Sequence, residues 1–158
     1  MFSVKGLELL AFMLQGTLEM TGAVAFSLAL AGIPLHWKRI VPAGVALAAV
    51  IYVLRQLPVP FGVHTIAGLL LMVFFIAKST NVSATRSFVV VFISGVTLAL
   101  LEIFIYDFLF AITKVEPQVA MANKALWSLF GLPQAVILIL LAFLTSRYKK
   151  PIQDAWKR

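Results

Sequence analysis

Long apolar runs separated by short polar breaks organise this chain. A helix that crosses a bilayer needs about 20 apolar residues, and five segments reach or approach that length, at approximately 7–33, 40–57, 63–77, 87–112 and 125–145. The pattern predicts an all-α, polytopic transmembrane helical bundle of about five spans, one integral membrane domain, followed by a basic cytoplasmic tail over 146–158. The third span is the shortest, and its entry carries Pro58, Pro60 and Gly62. Each proline ring disfavours helix at the residue before it, so 57–62 is expected to be an extended turn, and a re-entrant segment is the alternative to a full crossing.

Composition agrees with the pattern. Only 12% of the 158 residues are charged and 62% are hydrophobic, whereas a soluble domain carries about 25% charge. The formal charge of +7 would suggest nucleic acid in a soluble protein. Here the basic residues fall between and after the apolar runs, so they read as orientation signals and no nucleic-acid partner is expected. Lys38, Arg39, Lys78, Arg86, Arg147, Lys149, Lys150, Lys157 and Arg158 lie on one side of a five-span arrangement, and Lys5, Arg55, Lys114 and Lys124 on the other. That bias predicts an N-terminus outside and a C-terminus in the cytoplasm. Trp37, Trp127 and Tyr148 fall at span ends, where amphipathic rings suit the headgroup layer. Ala29-Leu30-Ala31 resembles a signal-peptide cleavage site, but Glu8 and Glu19 interrupt the apolar segment, so the first run is expected to be a retained span.

Against this background the acids stand out. Glu19 and Glu102 each lie near the middle of an apolar run, and a charged side chain at bilayer depth costs roughly 2.5 to 3.5 kcal/mol even on lenient scales. Such residues normally face a protein interior or a wet cavity. Glu8, Gln15, Glu19 and Gly22 follow helical spacing along one face of the first span. In the fourth span Ser94, Gly95, Glu102 and Tyr106 share a broad face, with Asp107 turned about 140° from Glu102. Both glutamates lie about 3 Å to the outer side of their span centres, a matching depth at which touching helices would form a coupled pair. Nearer the outer surface come Arg55, His64 and Asp107, and an Arg55–Asp107 ion pair is sterically reasonable. These residues predict an outward-opening pocket lined by Glu19, Glu102, Asp107, Arg55 and His64, assisted by Gln15, Tyr106 and Asn123, whose acidity favours a small cationic or amine ligand. The loop 114–124 has the length to cap it. The alternative is that both glutamates are hydrogen-bonded links between helices.

Other chemistry is thinly represented. Cysteine is absent, which excludes disulfides and thiolate sites. His36 and His64 fall on opposite membrane faces, so no metal site and no cofactor is expected. Gly-x-Ser-x-Gly and the paired histidines of zinc proteases are missing, and Asp107 is the single aspartate at depth, so no enzyme activity is expected. Gly22, Ala25, Ala29, Gly44 and Ala48 are small residues that permit close helix approach. Asn81-Val82-Ser83 matches a glycosylation pattern on the cytoplasmic side, where it is expected to be chance, and 154–158 is expected to be a short solvated or surface-bound tail.

The block from Leu28 to Ile40, with Pro34-Leu35-His36-Trp37-Lys38-Arg39, and the run from Tyr52 through Arg55, Pro58, Pro60 and Gly62 to His64 resemble the multi-helix membrane input regions of bacterial sensor histidine kinases. The resemblance covers about the first half of the chain. It implies a five- to six-helix sensor of an extracellular or membrane-borne signal in the cytoplasmic (inner) membrane of a bacterium. No phospho-acceptor or ATP-binding domain follows the last span, so the expectation is a sensor-like or accessory module that acts through a protein partner, such as a kinase or transporter core, or a fragment of a longer product. A small proton-coupled transporter or exporter, expected to be a dimer and so a homo-oligomer, is the alternative, and a structural subunit without ligand a third.

Overall fold

The structure, a computed structural model, describes residues 4–58, 60 and 62–157. The expected places of the Lys5 side chain, of Val59 and Phe61 in the turn, and of Arg158 in the tail lie outside the described residues. Six helices follow one another: α1 Val4–Leu30, α2 Trp37–Gln56, α3 Val63–Ser79, α4 Ala84–Thr113, α5 Pro117–Ala122 and α6 Lys124–Tyr148. Helices α1, α2, α4 and α6 are long and apolar enough to cross a membrane, and α3 is a shorter apolar helix. The chain is therefore a multi-pass membrane protein built as a helical bundle of about five spans. The 17 residues of α3 rise about 25 Å, somewhat less than the ~30 Å of a typical hydrocarbon core.

Helix α1 is the centre of the bundle, packed against α2, α4 and α6, while α3 packs on α2 and α4. From Thr21 to Ala29 every residue of α1 is buried, as expected for a helix surrounded on all sides. Small residues make that possible. A Cβ on Gly22 would lie 3.3 Å from the Ala135 carbonyl oxygen of α6, and one on Gly44 would lie 2.9 Å from the Thr21 Cα of α1. The close approaches anticipated for these glycines are thus real contacts between α1 and its two neighbours, which replace a hydrophobic driving force that lipid cannot supply.

The apolar core is concentrated in one half of the bundle. Leu28, Ile33, Ile40, Ile76, Val91 and Leu138 are almost fully buried there, toward the end where α1, α3 and α6 finish. The segment after α6 folds back across that end. Backbone hydrogen bonds run from Ile152 N to Gly32 O (2.9 Å), Asn81 N to Ala155 O (2.8 Å) and Lys157 N to Ser79 O (3.0 Å). Trp156 donates its indole N–H to Pro34 O at 2.8 Å, stacks on His36 and lies beneath the Arg39 guanidinium. Ala155 is buried. The tail is a strap docked on the protein rather than a solvated end, because the polar loops it crosses offer unpaired backbone groups. Asn81 takes part, donating its side-chain amide to Asp154 O, and Ser83 caps α4 through Arg86 N.

Several basic residues of this end bind the carbonyl ends of helices. Lys149 donates to Leu30 O, Arg86 to Ala31 O and Lys157 to Ala77 O. These carbonyls belong to the ends of α1 and α3, where the last turn leaves acceptors unsatisfied and the helix dipole is negative. Trp156→Ala removes a hydrogen bond, a ring stack and a cation–π contact together. The expected result is faster proteolysis and amide exchange of 149–157 with the helices still folded, measured in detergent. Equal protection in both proteins would show that the backbone bridge alone holds the strap.

Candidate functional site

The opposite half of the bundle packs less tightly and encloses a cavity of about 210 Å³ to which α1, α2, α3, α4 and α6 all contribute. Its volume far exceeds the ~10–15 Å³ that one water requires. Gln15 and Glu19 reach it from α1, Arg55 from α2, His64 and Thr65 from α3, Glu102 and Tyr106 from α4, and Gln134 from α6. Glu19 and Glu102, separated by more than 80 positions in sequence, thus face one common space.

Glu19 is the most structured of these groups. Its Oε2 accepts hydrogen bonds from the side-chain amides of Gln15, one turn earlier on α1, and of Gln134 on α6, the latter at 3.3 Å. The Gln15 amide packs closely on α6 at Gly131, where a Cβ would sit 2.8 Å from its Nε2. Two neutral amides therefore orient one carboxylate oxygen and leave the other for the cavity. Glu102 enters from α4 and remains accessible, with no hydrogen bond joining it to Glu19. The two acids are nevertheless near enough to act on each other electrostatically, and Arg55 acts on both.

The mouth of the cavity is aromatic and cationic. The Arg55 guanidinium lies 5.1 Å from the centre of the Phe12 ring, a cation–π geometry worth about 0.5–1 kcal/mol when exposed. Tyr106 stacks on Trp127 at 4.4 Å and donates its hydroxyl to the Trp127 carbonyl at 3.3 Å. Beyond them a vestibule of about 610 Å³ shares Phe12, Arg55, Trp127 and Ser128 with the inner cavity. Glu8, Met121 and Lys124 line its far side, where Lys124 Nζ approaches the Glu8 carboxylate at 4.0 Å. The 114–124 connection, which contains α5, therefore does contribute to a cap. The polar stripe read on α1 runs from the vestibule at Glu8 to the cavity at Gln15 and Glu19, and ends on α6 at Gly22.

Two expected members are elsewhere. Asp107 is exposed and lies outside the cavity, and Arg55 makes no ion pair with it. The cause is helical geometry: five residues beyond Glu102 bring the side chain round to about 140° from the cavity face. Asn123 is occupied as the N-cap of α6, where its Oδ1 accepts from Leu126 N at 3.2 Å. Conversely, Gln134 and Ser128 of α6 and Thr65 of α3 line the space without having been singled out. Gln134 carried a legible signal, being an amide inside the apolar run of the last span just after Pro133; a rule that looks only for charge passes over it. Among the described residues no cluster of His, Asp and Glu could hold a metal.

No protein-family model, curated protein or solved structure matches the chain.

Proposed function

We propose that the protein is a membrane-embedded binding protein for a small cationic or amine ligand, which it takes into the interhelical cavity and reports, as a sensor-like or accessory module, to a protein partner. One observation carries this reading: two carboxylates from different helices face a single cavity in which Arg55 is the only cation at the mouth among the described lysine and arginine residues. A carboxylate pair in a low-dielectric space stays ionised only with compensating positive charge, and a ligand cation supplies it. With the eight described lysines and arginines of the strap end on the cytoplasmic side, the vestibule opens outward. The resemblance to sensor input regions fits the same arrangement, in a bacterial inner membrane.

The core and strap seal the end opposite the vestibule, and a blind-ended cavity suits binding and reporting better than passage. Purified protein titrated with n-butylammonium is expected to gain thermal stability, by about 2.7 kcal/mol at a hundredfold excess over Kd. Butyrate at equal concentration and ionic strength should leave the unfolding temperature unchanged. Equal effects of the two ions, or none, would refute cation binding. Butylammonium flux into proteoliposomes above the protein-free rate would replace the reporting function with transport.

A further inference from the structure

Gln134 is 2% exposed, lines the cavity and uses only half of its amide. Its Nε2 donates to Glu19 Oε2, whereas its Oε1 has no hydrogen-bond partner among the described residues. Buried acceptors are rarely left unpaired, and this one belongs to the same planar amide that orients the Glu19 carboxylate. Two acceptors thus come from adjoining side chains inward of the ring-lined mouth: the Glu19 oxygen that neither Gln15 nor Gln134 occupies, and the amide oxygen, buried beside the cavity without a partner among the described residues.

We propose that Gln134, acting with Glu19, makes this part of the cavity a site for a nitrogen head group with at least two N–H donors, a primary ammonium or a guanidinium, in preference to a fully alkylated ammonium. The proposal rests on the cation-binding reading above and adds the class of head group. A primary ammonium places one N–H on the carboxylate and a second on the amide oxygen, and keeps a third for Glu102 or water. A trimethylammonium head carries the same charge but satisfies neither acceptor, and a site built on buried hydrogen-bonding groups rejects an analogue that cannot pair them. The opposing tendency lies at the cavity mouth, which the rings of Phe12, Tyr106 and Trp127 line, since aromatic rings attract quaternary ammonium groups. Depth decides between them. The rings stand where cavity and vestibule meet, while Gln134 and Glu19 sit inward of them, and a short alkyl chain lets the head reach the acceptors while its tail lies along the rings.

The test compares n-butylammonium with n-butyltrimethylammonium, by calorimetric titration of the full chain in detergent, for wild type and Gln134→Met. Methionine keeps the unbranched shape and removes the acceptor together with the amide donor to Glu19. Wild type is expected to prefer butylammonium by at least about tenfold, and Gln134→Met to reduce the preference to about threefold or less. Equal wild-type affinities, or a preference for the quaternary ion, overturn this proposal and leave the cation reading standing. A preference that survives unchanged in Gln134→Met overturns the assignment to Gln134. Failure of both ions to bind wild type overturns the cation reading itself. Should Gln134→Met not yield folded protein, the wild-type comparison alone still decides the head-group class.

Discussion

Glu19→Gln is expected to reduce butylammonium affinity by about 30- to 150-fold, the equivalent of roughly 2–3 kcal/mol for losing the charged partner of a buried hydrogen bond. The substitution is nearly isosteric, and the new amide still offers an oxygen to Gln15 and Gln134, so the clamp on α1 and α6 survives. Charge is what disappears. Glu102→Gln should cost less, about 1 kcal/mol or fivefold, because that side chain is less enclosed than Glu19 and no amide holds it in place. The order of the two effects is the informative part. Glu102 dominating would move the site toward the mouth, and unchanged affinity in both variants would reduce the acids to links between helices. Circular dichroism and size exclusion in the same detergent establish that each variant is folded before titration.

The second large effect concerns stability. Gly44→Ala is expected to destabilise the bundle by about 3 kcal/mol, at the upper end of what overpacking costs. The added Cβ would lie 2.1 Å from Thr21 Oγ1, 2.8 Å from Thr21 N and 2.9 Å from Thr21 Cα. A rotamer change in Thr21 relieves the first contact and not the other two, because backbone can move only if α1 and α2 separate. Gly22→Ala, with nearest contacts of 3.2 and 3.3 Å on α6, should cost less, and Gly16→Ala, at 3.6 Å from Ala48 Cβ, should be nearly neutral. Thermal unfolding in detergent ranks the three. Thr21→Ala added to Gly44→Ala should recover only part of the loss. Full recovery would mean that the hydroxyl alone sets the helix spacing, and an equal cost at Gly16 and Gly44 would contradict the packing described for α1 and α2.

Much of the architecture was written in the chain because membranes impose a local rule. Each span must satisfy its own backbone hydrogen bonds and present apolar side chains to lipid, so hydropathy alone placed the helices, and the beginning of α3 after Pro58, Pro60 and Gly62 coincides with expectation at Val63. Boundaries elsewhere moved by a few residues, with α4 starting at Ala84 once Ser83 caps it and α6 reaching Tyr148. The fold of the strap was not legible, since Trp156, Ala155 and Asp154 find their partners in loops more than 70 positions away. Its basic residues read as orientation signals in the sequence, whereas in the structure Arg86, Lys149 and Lys157 hold the carbonyl ends of helices, a use that a charge count does not reveal.

Within the site, spacing on a single helix was sufficient to put Gln15 beside Glu19 and to turn Asp107 away from Glu102, because 100° per residue is a property of the helix itself. Hydropathy and charge likewise determined, from sequence alone, that this is a membrane bundle with two acids at depth. Which faces meet is another matter. Helix rotation depends on small-residue contacts such as Gly44 on Thr21 and Gly22 on Ala135, and these bring together positions remote in the chain. Only the tertiary structure could therefore show that Glu19 and Glu102 share one cavity, that Gln134 completes the clamp on Glu19, and that Asn123 is spent as a cap, since each depends on packing between helices rather than on any pattern within one.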